Sequence, residues 1–293
     1  MTPDDVLRHL ARRLPDFRPR SSPHRLSGGN LNHVWRVPGE PHSVIVKTAP
    51  PYVASRPEIA LDPRRILFEA RALEILGPEG VLAAVSSPAC RPPRLLAVNR
   101  SRHTVVIEDV GDVPDLAACL LSEAAGDDLG ARLGGFIGSL HARSFGELSL
   151  AQELDNADVQ RTRHEVQYCA VDELCRRADI RDAARLGKTA EGLGERLRRR
   201  GVCLTMGDLW PPSVLVAAGG VRVIDWELAH FGSPAQDLGH IAAHLWMQAH
   251  RAKNAERAAS GRSCLRAFFE AYVAALGELR RELVREDVAI DCA

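Results

Sequence analysis

Lysine is scarce in this sequence. Of 38 lysines and arginines, only Lys47, Lys188 and Lys253 carry an ammonium, so a lysine in an apolar setting stands out. Neither charge is in surplus, because 38 acidic residues balance the basic ones. A nucleic-acid carrier would need excess cations facing phosphates, so no nucleic-acid partner is expected. Apolar runs are short, as in residues 81–85, far from the ~20 residues that a membrane-spanning helix needs. The cysteines number seven, without a C-x-x-C pair, which suits the reduced thiols of a cytoplasmic protein rather than a disulfide framework. No G-x-x-x-x-G-K-[ST] sequence occurs, which excludes a P-loop nucleotide site. The absence of H-R-D, D-F-G and A-P-E argues against a protein kinase.

What is present suits one large or two modest domains with a sizeable core: 293 residues, 45% of them apolar. Thr2, Pro3, Asp4 and Asp5 read as a capped helix start rather than a leader peptide, and Val6, Leu7, Leu10 and Leu14 follow at helical spacing. Strand patterns follow over residues 34–37, 43–48, 94–98 and 104–108. Residues 49–61, with three prolines, read as a loop, and Asp62-Pro63 opens a helix that closes at Gly77-Pro78. Past Gly111 the pattern is helical, at about 128–145, 157–178, 181–200, 235–258 and 262–287. A strand–loop–strand–turn–strand unit interrupts it over residues 202–224. The expected fold is α+β with two lobes: an antiparallel-sheet N-lobe over residues 1–112 and a larger, mainly helical C-lobe over residues 113–293.

Three features carry chemistry. Lys47 ends the apolar stretch Val44-Ile45-Val46-Lys47, where a charge is costly unless paired or bound to something. In the next helix Glu69 projects from the face of Ile66, Ala70 and Leu73, so the two side chains can satisfy each other. Such a pair could hold the ammonium against a polyphosphate, or could be an ion pair that only stabilises. Second, Ser27-Gly28-Gly29-Asn30 lies between two strands. Glycines there let backbone amides approach a phosphate, though a glycine pair also makes plain turns. Third, Asp208 begins a loop that ends at Ser213, and Asp225 ends the last strand of the unit. One carboxylate in such a loop can accept a hydroxyl proton, while a second carboxylate and a neutral oxygen hold Mg²⁺ against phosphates. The alternative makes Asp208 a turn residue and Asp225 a helix cap.

These residues, in this order over about residues 26–244, resemble the aminoglycoside phosphotransferase/choline kinase-like family of small-molecule kinases with the protein-kinase-like fold. The resemblance implies ATP and Mg²⁺ as cofactors and a hydroxyl of a sugar, amino alcohol or aminoglycoside-like molecule as acceptor. It implies Ser27, Gly28, Gly29 and Asn30 as the nucleotide loop, and Lys47 at the α- and β-phosphates, held by Glu69. The backbone from Glu108 to Val110 would meet the adenine edge. Asp208 would be the catalytic carboxylate, Ser213 and Asp225 the metal ligands, and Asp237 a support for the catalytic loop. Two positions depart from the family: Met206 stands where it usually has His, and Ser213 where it usually has Asn. Methylthioribose kinases resemble this chain in carrying serine there. These departures keep a second reading open, a catalytically silent relative that binds nucleotide or a metabolite.

Other signals carry less. His240 and His244 are spaced like a zinc-peptidase pair, but Ile241 occupies the place of the required glutamate. His141 reads as a core histidine, Trp210 and Trp246 as packing, and residues 161–163 and 196–200 as solvated arginine faces. Glu165, Asp172 and Glu173 could form an acidic pocket wall for a cationic acceptor, or an ordinary solvated helix.

Overall fold

The computed structural model of the chain describes residues 1–27, 30–121 and 126–279. Helix α1 (Pro3–Arg13) starts at a capping box in which Thr2 and Asp5 exchange side-chain and backbone hydrogen bonds. It is followed by β1 (Arg18–Pro19), β2 (His24–Arg25), β3 (His33–Val37), β4 (Gly39–Glu40) and β5 (Val44–Thr48). Next come β6 (Tyr52–Val53), β7 (Arg56–Ala60), α2 (Arg65–Leu76), β8 (Cys90–Arg91), β9 (Leu95–Asn99) and β10 (Thr104–Glu108). The main sheet is antiparallel with the order β2-β3-β5-β10-β9.

Alternation along the central strand β5 divides its side chains between two layers. Val44 and Val46 pack with Trp35, Val37 and Val106 under Val6 and Leu10 of α1. Ile45 points the other way, into the core that holds Ile66, Ala70 and Leu73 of α2. The same period of two carries Lys47 to the α2 side. Residues 49–61, expected as a loop, instead contain the β6–β7 hairpin. Pro57 is exposed on this two-stranded ribbon, where a missing N–H costs little.

The rest is mainly helical: α3 (Leu116–Leu121), α4 (Gly126–Ser144), α5 (Leu148–Glu153), α6 (Ala157–Arg163), α7 (Val171–Arg177) and α8 (Ala183–Leu197). Strands β11 (Cys203–Thr205), β12 (Val214–Ala217), β13 (Gly220–Val223) and β14 (His230–Gly232) precede α9 (Pro234–Arg251) and α10 (Ala255–Leu276). Helices α4 and α10 meet backbone to backbone. A Cβ at Gly126, Gly130, Gly134 or Gly138 would strike the carbonyl of Ser260, Cys264, Phe268 or Tyr272, respectively. The constant offset means that the two helices run in the same direction.

Two long helices expected from the sequence are broken. Between α6 and α7, His164–Tyr168 forms a π-helical turn, which shifts the helical phase of the residues after it. The helix expected over 235–258 stops at Arg251, and Asn254 caps α10 by accepting from the Arg257 N–H. Residues 280–287 of the last expected helix lie outside the described residues, as do Gly28 and Gly29 of the expected nucleotide loop. One continuous core runs from Ile45 and α2 through Phe136 and Leu140 to Phe268. Strand β8 also pairs in parallel with β13. The strand-rich and helical parts therefore share a core and a small sheet.

Candidate active site

Lys47 is 3% exposed, and its Nζ lies 2.7 Å from Glu69 Oε1 and 2.5 Å from Asp225 Oδ1. Burial favours the neutral amine, but Asp225 and Glu69 more than offset it and push the lysine pKa well up. Glu69 shifts upward because burial outweighs the attraction of Lys47, and its Oε2 has no hydrogen-bond partner among the described residues. Asp225 is the open member, with 43% of its side chain exposed. It follows β13 in the left-handed region, at φ 66°, which aspartate tolerates better than most residues.

The helical pattern assigns Arg65 no role, yet it is fully buried beside this cluster. Its guanidinium donates to Glu227 Oε2 at 3.0 Å and to the carbonyls of Leu31 at 2.6 Å, Pro50 at 2.9 Å and Asp62 at 3.0 Å. It thereby ties Leu31, just past the glycine pair, and the start of α2 to the segment after Asp225. Burial drives the Glu227 carboxyl up to about 7, with Arg65 opposing.

The loop that carries Asp208 is clamped through its backbone. Gly207 has φ 86°, and a Cβ there would overlap the Leu228 carbonyl, so the position requires glycine. Asp237 accepts from the N–H groups of Met206 and Gly207, both at 2.8 Å. His141 lies 3.2 Å from Asp237 through Nε2 and 3.0 Å from Tyr272 Oη through Nδ1, a buried and hydrogen-bonded core histidine. The Gly207 carbonyl accepts from Gln236 at 2.9 Å and from Arg163. Arg163 corrects the expectation of a solvated face over residues 161–163: Arg161 points to solvent, but Arg163, two positions on, is 4% exposed.

Asp208 itself is half-buried; the Arg163 guanidinium (Nη2) and the His240 ring (Nδ1) each lie 3.8 Å away. Burial raises its pKa and Arg163 opposes the rise. Burial and Arg163 push His240 down to about 3, so it stands neutral beside the carboxylate. Met206 is buried, and its sulfur accepts from the Asp208 N–H at 3.3 Å. Ser213 is also buried. Its hydroxyl donates to the Trp210 carbonyl at 2.8 Å and accepts from the Trp210 N–H at 3.3 Å. The Ser213 carbonyl accepts from the Ile224 N–H at 2.8 Å, which sets the loop end beside Asp225.

At the join between the two parts the Glu108 side chain is turned to Arg91, 2.7 and 2.8 Å away. Burial opposes its charge, but Arg91 and the Arg94 N–H hold the carboxyl down at about 2. Arg36 braces the following turn, 3.0 Å from Asp109 and 2.7 Å from the Gly111 carbonyl. Ser27 and Asn30 are exposed, and the Asn30 carbonyl accepts from Ser55 in the β6–β7 hairpin at 3.0 Å. Between that hairpin, α6 and the π-helical turn lies a cleft of about 320 Å³ with Asp208, Arg163, Gln167 and Arg56 in its walls. His244 packs on Trp210 with ring centroids 5.6 Å apart. No group of three or more His, Cys, Asp or Glu side chains that could hold a metal ion occurs among the described residues, and none of their helices is long and apolar enough to cross a membrane.

The model of the phosphotransferase enzyme family matches residues 22–283, and the chain belongs to that family. It is 26% identical over 251 residues to a 4-hydroxytryptamine kinase of Psilocybe cyanescens, spanning 77% of this chain and 67% of the relative. Among solved structures it is similar to an aminoglycoside-3'-phosphotransferase of type VIII, with TM-score 0.55 and 23% identity over 99% of this chain and 97% of that one. A spectinomycin phosphotransferase in complex with ADP and spectinomycin also has TM-score 0.55, at 14% identity over 100% of this chain and 98% of that one. The likeness runs the length of the chain and establishes the two-lobed, protein-kinase-like α+β fold.

Proposed function

We propose that this protein transfers the γ-phosphate of ATP, with Mg²⁺, to a hydroxyl of a small molecule. The observation that carries the reading is a contrast within one site: Lys47 is buried and paired with Glu69 and the partly open Asp225, while Asp208 stands on a clamped loop at a cleft wall with no cation nearer than 3.8 Å among the described residues. The names of the relatives, a hydroxytryptamine kinase and an aminoglycoside phosphotransferase, support a small-molecule acceptor.

In this reading residues 1–112 hold the nucleotide, and residues 113–293 carry the catalytic loop, the metal-binding acid and most of the acceptor pocket, whose cleft also takes Arg56 from the first part. Ser27, Gly28, Gly29 and Asn30 cradle the phosphates, and Lys47, oriented by Glu69, exchanges Asp225 for phosphate oxygens. The Glu108 N–H is spent on the Arg94 carbonyl at 2.9 Å, so the Glu108 carbonyl and the Val110 N–H meet the adenine edge. The donor set suits a hard cation, since Asp225 offers an open carboxylate and the unpartnered Glu69 Oε2 adds negative field. Asp225 would hold Mg²⁺ with Ser213 as a neutral second ligand, for which the serine must turn out of its bonds with Trp210. The ion, when bound, would supply neutralisation of phosphate charge. Asp208 accepts the proton of the acceptor hydroxyl, and the burial that raises its pKa makes it a better base.

The test is incubation with Mg²⁺–ATP and pooled sugars, amino alcohols, hydroxy acids and aminoglycosides, read by mass spectrometry. A phosphorylated acceptor is expected. Asp208→Asn should lower turnover about 10²- to 10⁴-fold while ATP binding stays intact. ATP binding with no product from any pool would favour the silent reading instead.

A further inference from the structure

The cleft beside Asp208 has more positive than negative walls. Arg56 and Arg163 line it, and among the described residues Asp208 is its one carboxylate. Arg163 is buried there among neutral partners: the Gly207 carbonyl, Gln167 Oε1 at 2.9 Å and His240 Nε2 at 2.8 Å. Its nearest carboxylate is Asp208, at 3.8 Å. A buried guanidinium without a close counter-ion is costly, and an incoming anion relieves that cost. Arg56 lies exposed on β7 and makes no salt bridge among the described residues. The acids that would welcome an ammonium are elsewhere. Glu165 and Glu173 are exposed, Asp172 is bound to Arg176 at 2.9 Å, and none of the three lines the cleft.

We infer, resting on the phosphotransferase reading above, that the acceptor is a hydroxylated small molecule bearing a carboxylate or other anionic group, and not a polyamine. The anion sits against Arg163 and Arg56, and the hydroxyl lies over Asp208. In the transfer the hydroxyl oxygen bonds to the γ-phosphorus, the bond from that phosphorus to the ADP oxygen breaks, and the hydroxyl proton passes to Asp208. A polycationic acceptor would set its ammonium groups against two guanidinium ions. Its one compensating carboxylate would be the group that must also take the proton.

The test compares acceptors that share a skeleton and differ in one end group: hydroxyphenylacetate, its amide and tyramine; and glycerate, its amide and aminopropanediol. Phosphorylated product is quantified by mass spectrometry and kcat/KM is determined for each. The carboxylates should exceed the amines by at least about tenfold, with the amides between. Arg56→Glu, an exposed substitution, should cut that preference at least about tenfold, as the ratio of carboxylate to amine kcat/KM at saturating ATP. A preference for the amines, or one that Arg56→Glu does not move, overturns the inference and leaves phosphotransfer standing. No product with any member, while the pooled sugars or aminoglycosides give one, overturns the inference and leaves phosphotransfer standing; no product with either set overturns both.

Discussion

Lys47 meets Glu69 and Asp225 at 2.7 and 2.5 Å, whereas Asp208 has no cationic group nearer than 3.8 Å among the described residues. The first region neutralises its charges against one another around a lysine buried between sheet and helix, with Asp225 on its open side. The second holds its backbone firmly, through Asp237, Gln236 and Arg163, and leaves the carboxylate loosely attended. Binding a polyphosphate asks for a cation that can exchange one set of oxygens for another. Accepting a proton asks for a carboxylate that is fixed in place but not already satisfied.

The comparison breaks most readily at Lys47. Lys47→Met strands two acids around a lost cation, and urea unfolding should register about 3–5 kcal/mol of destabilisation with loss of ATP binding. A loss below about 1 kcal/mol would mean that Asp225 simply turns to water, and the three side chains would not be a unit. Glu227→Gln tests the same region by pH. The Glu227 carboxyl shifts from 4.5 up to about 7 in the folded protein, so in that range the folded state binds more protons than the unfolded one. Its contribution to stability therefore falls as pH rises. Measured against the Gln variant, the natural protein should lose up to roughly 3 kcal/mol between those pH values and none above. A difference that does not vary with pH would show that Arg65 keeps Glu227 ionised throughout.

On the other side, Asp237→Asn removes an acceptor from two amides and a histidine. It should cost about 1–3 kcal/mol and lower kcat, without changing the affinity for ATP measured by titration. Ser213→Ala should have the smallest effect on stability, about 1 kcal/mol or less. It sharpens the comparison through Mg²⁺: a metal ligand predicts a raised Mg²⁺ requirement that Ser213→Asn relieves. A loop brace predicts an equal fall in turnover at every Mg²⁺ concentration.

Much of the first region was legible in the residues. The alternation Val44-Ile45-Val46-Lys47 and the helical spacing of Glu69 are local facts, and both side chains project as their periods require. Glycines recurring every four residues from Gly126 to Gly138 were an available signal for a close helix–helix contact, left unread because their partner helix lies far along the chain. The hairpin over residues 52–60 was hidden by Pro57 within it and by Pro50 and Pro51 just before it. The π-helical turn at His164–Tyr168 was hidden because one residue of phase leaves little trace in composition.

The sequence by itself determined the strand-then-helix order and the placement of Lys47 and Glu69 on facing surfaces, since side-chain direction follows from local backbone period. Only the tertiary structure decided which arginines are buried and what they neutralise. Arg65 finds Glu227 across 162 positions and Arg163 finds Gly207 across 44. Burial and counter-charge are properties of such long-range contacts. Arg161 and Arg163 therefore read alike along the chain, and only folding sends one to solvent and the other to the wall of the cleft.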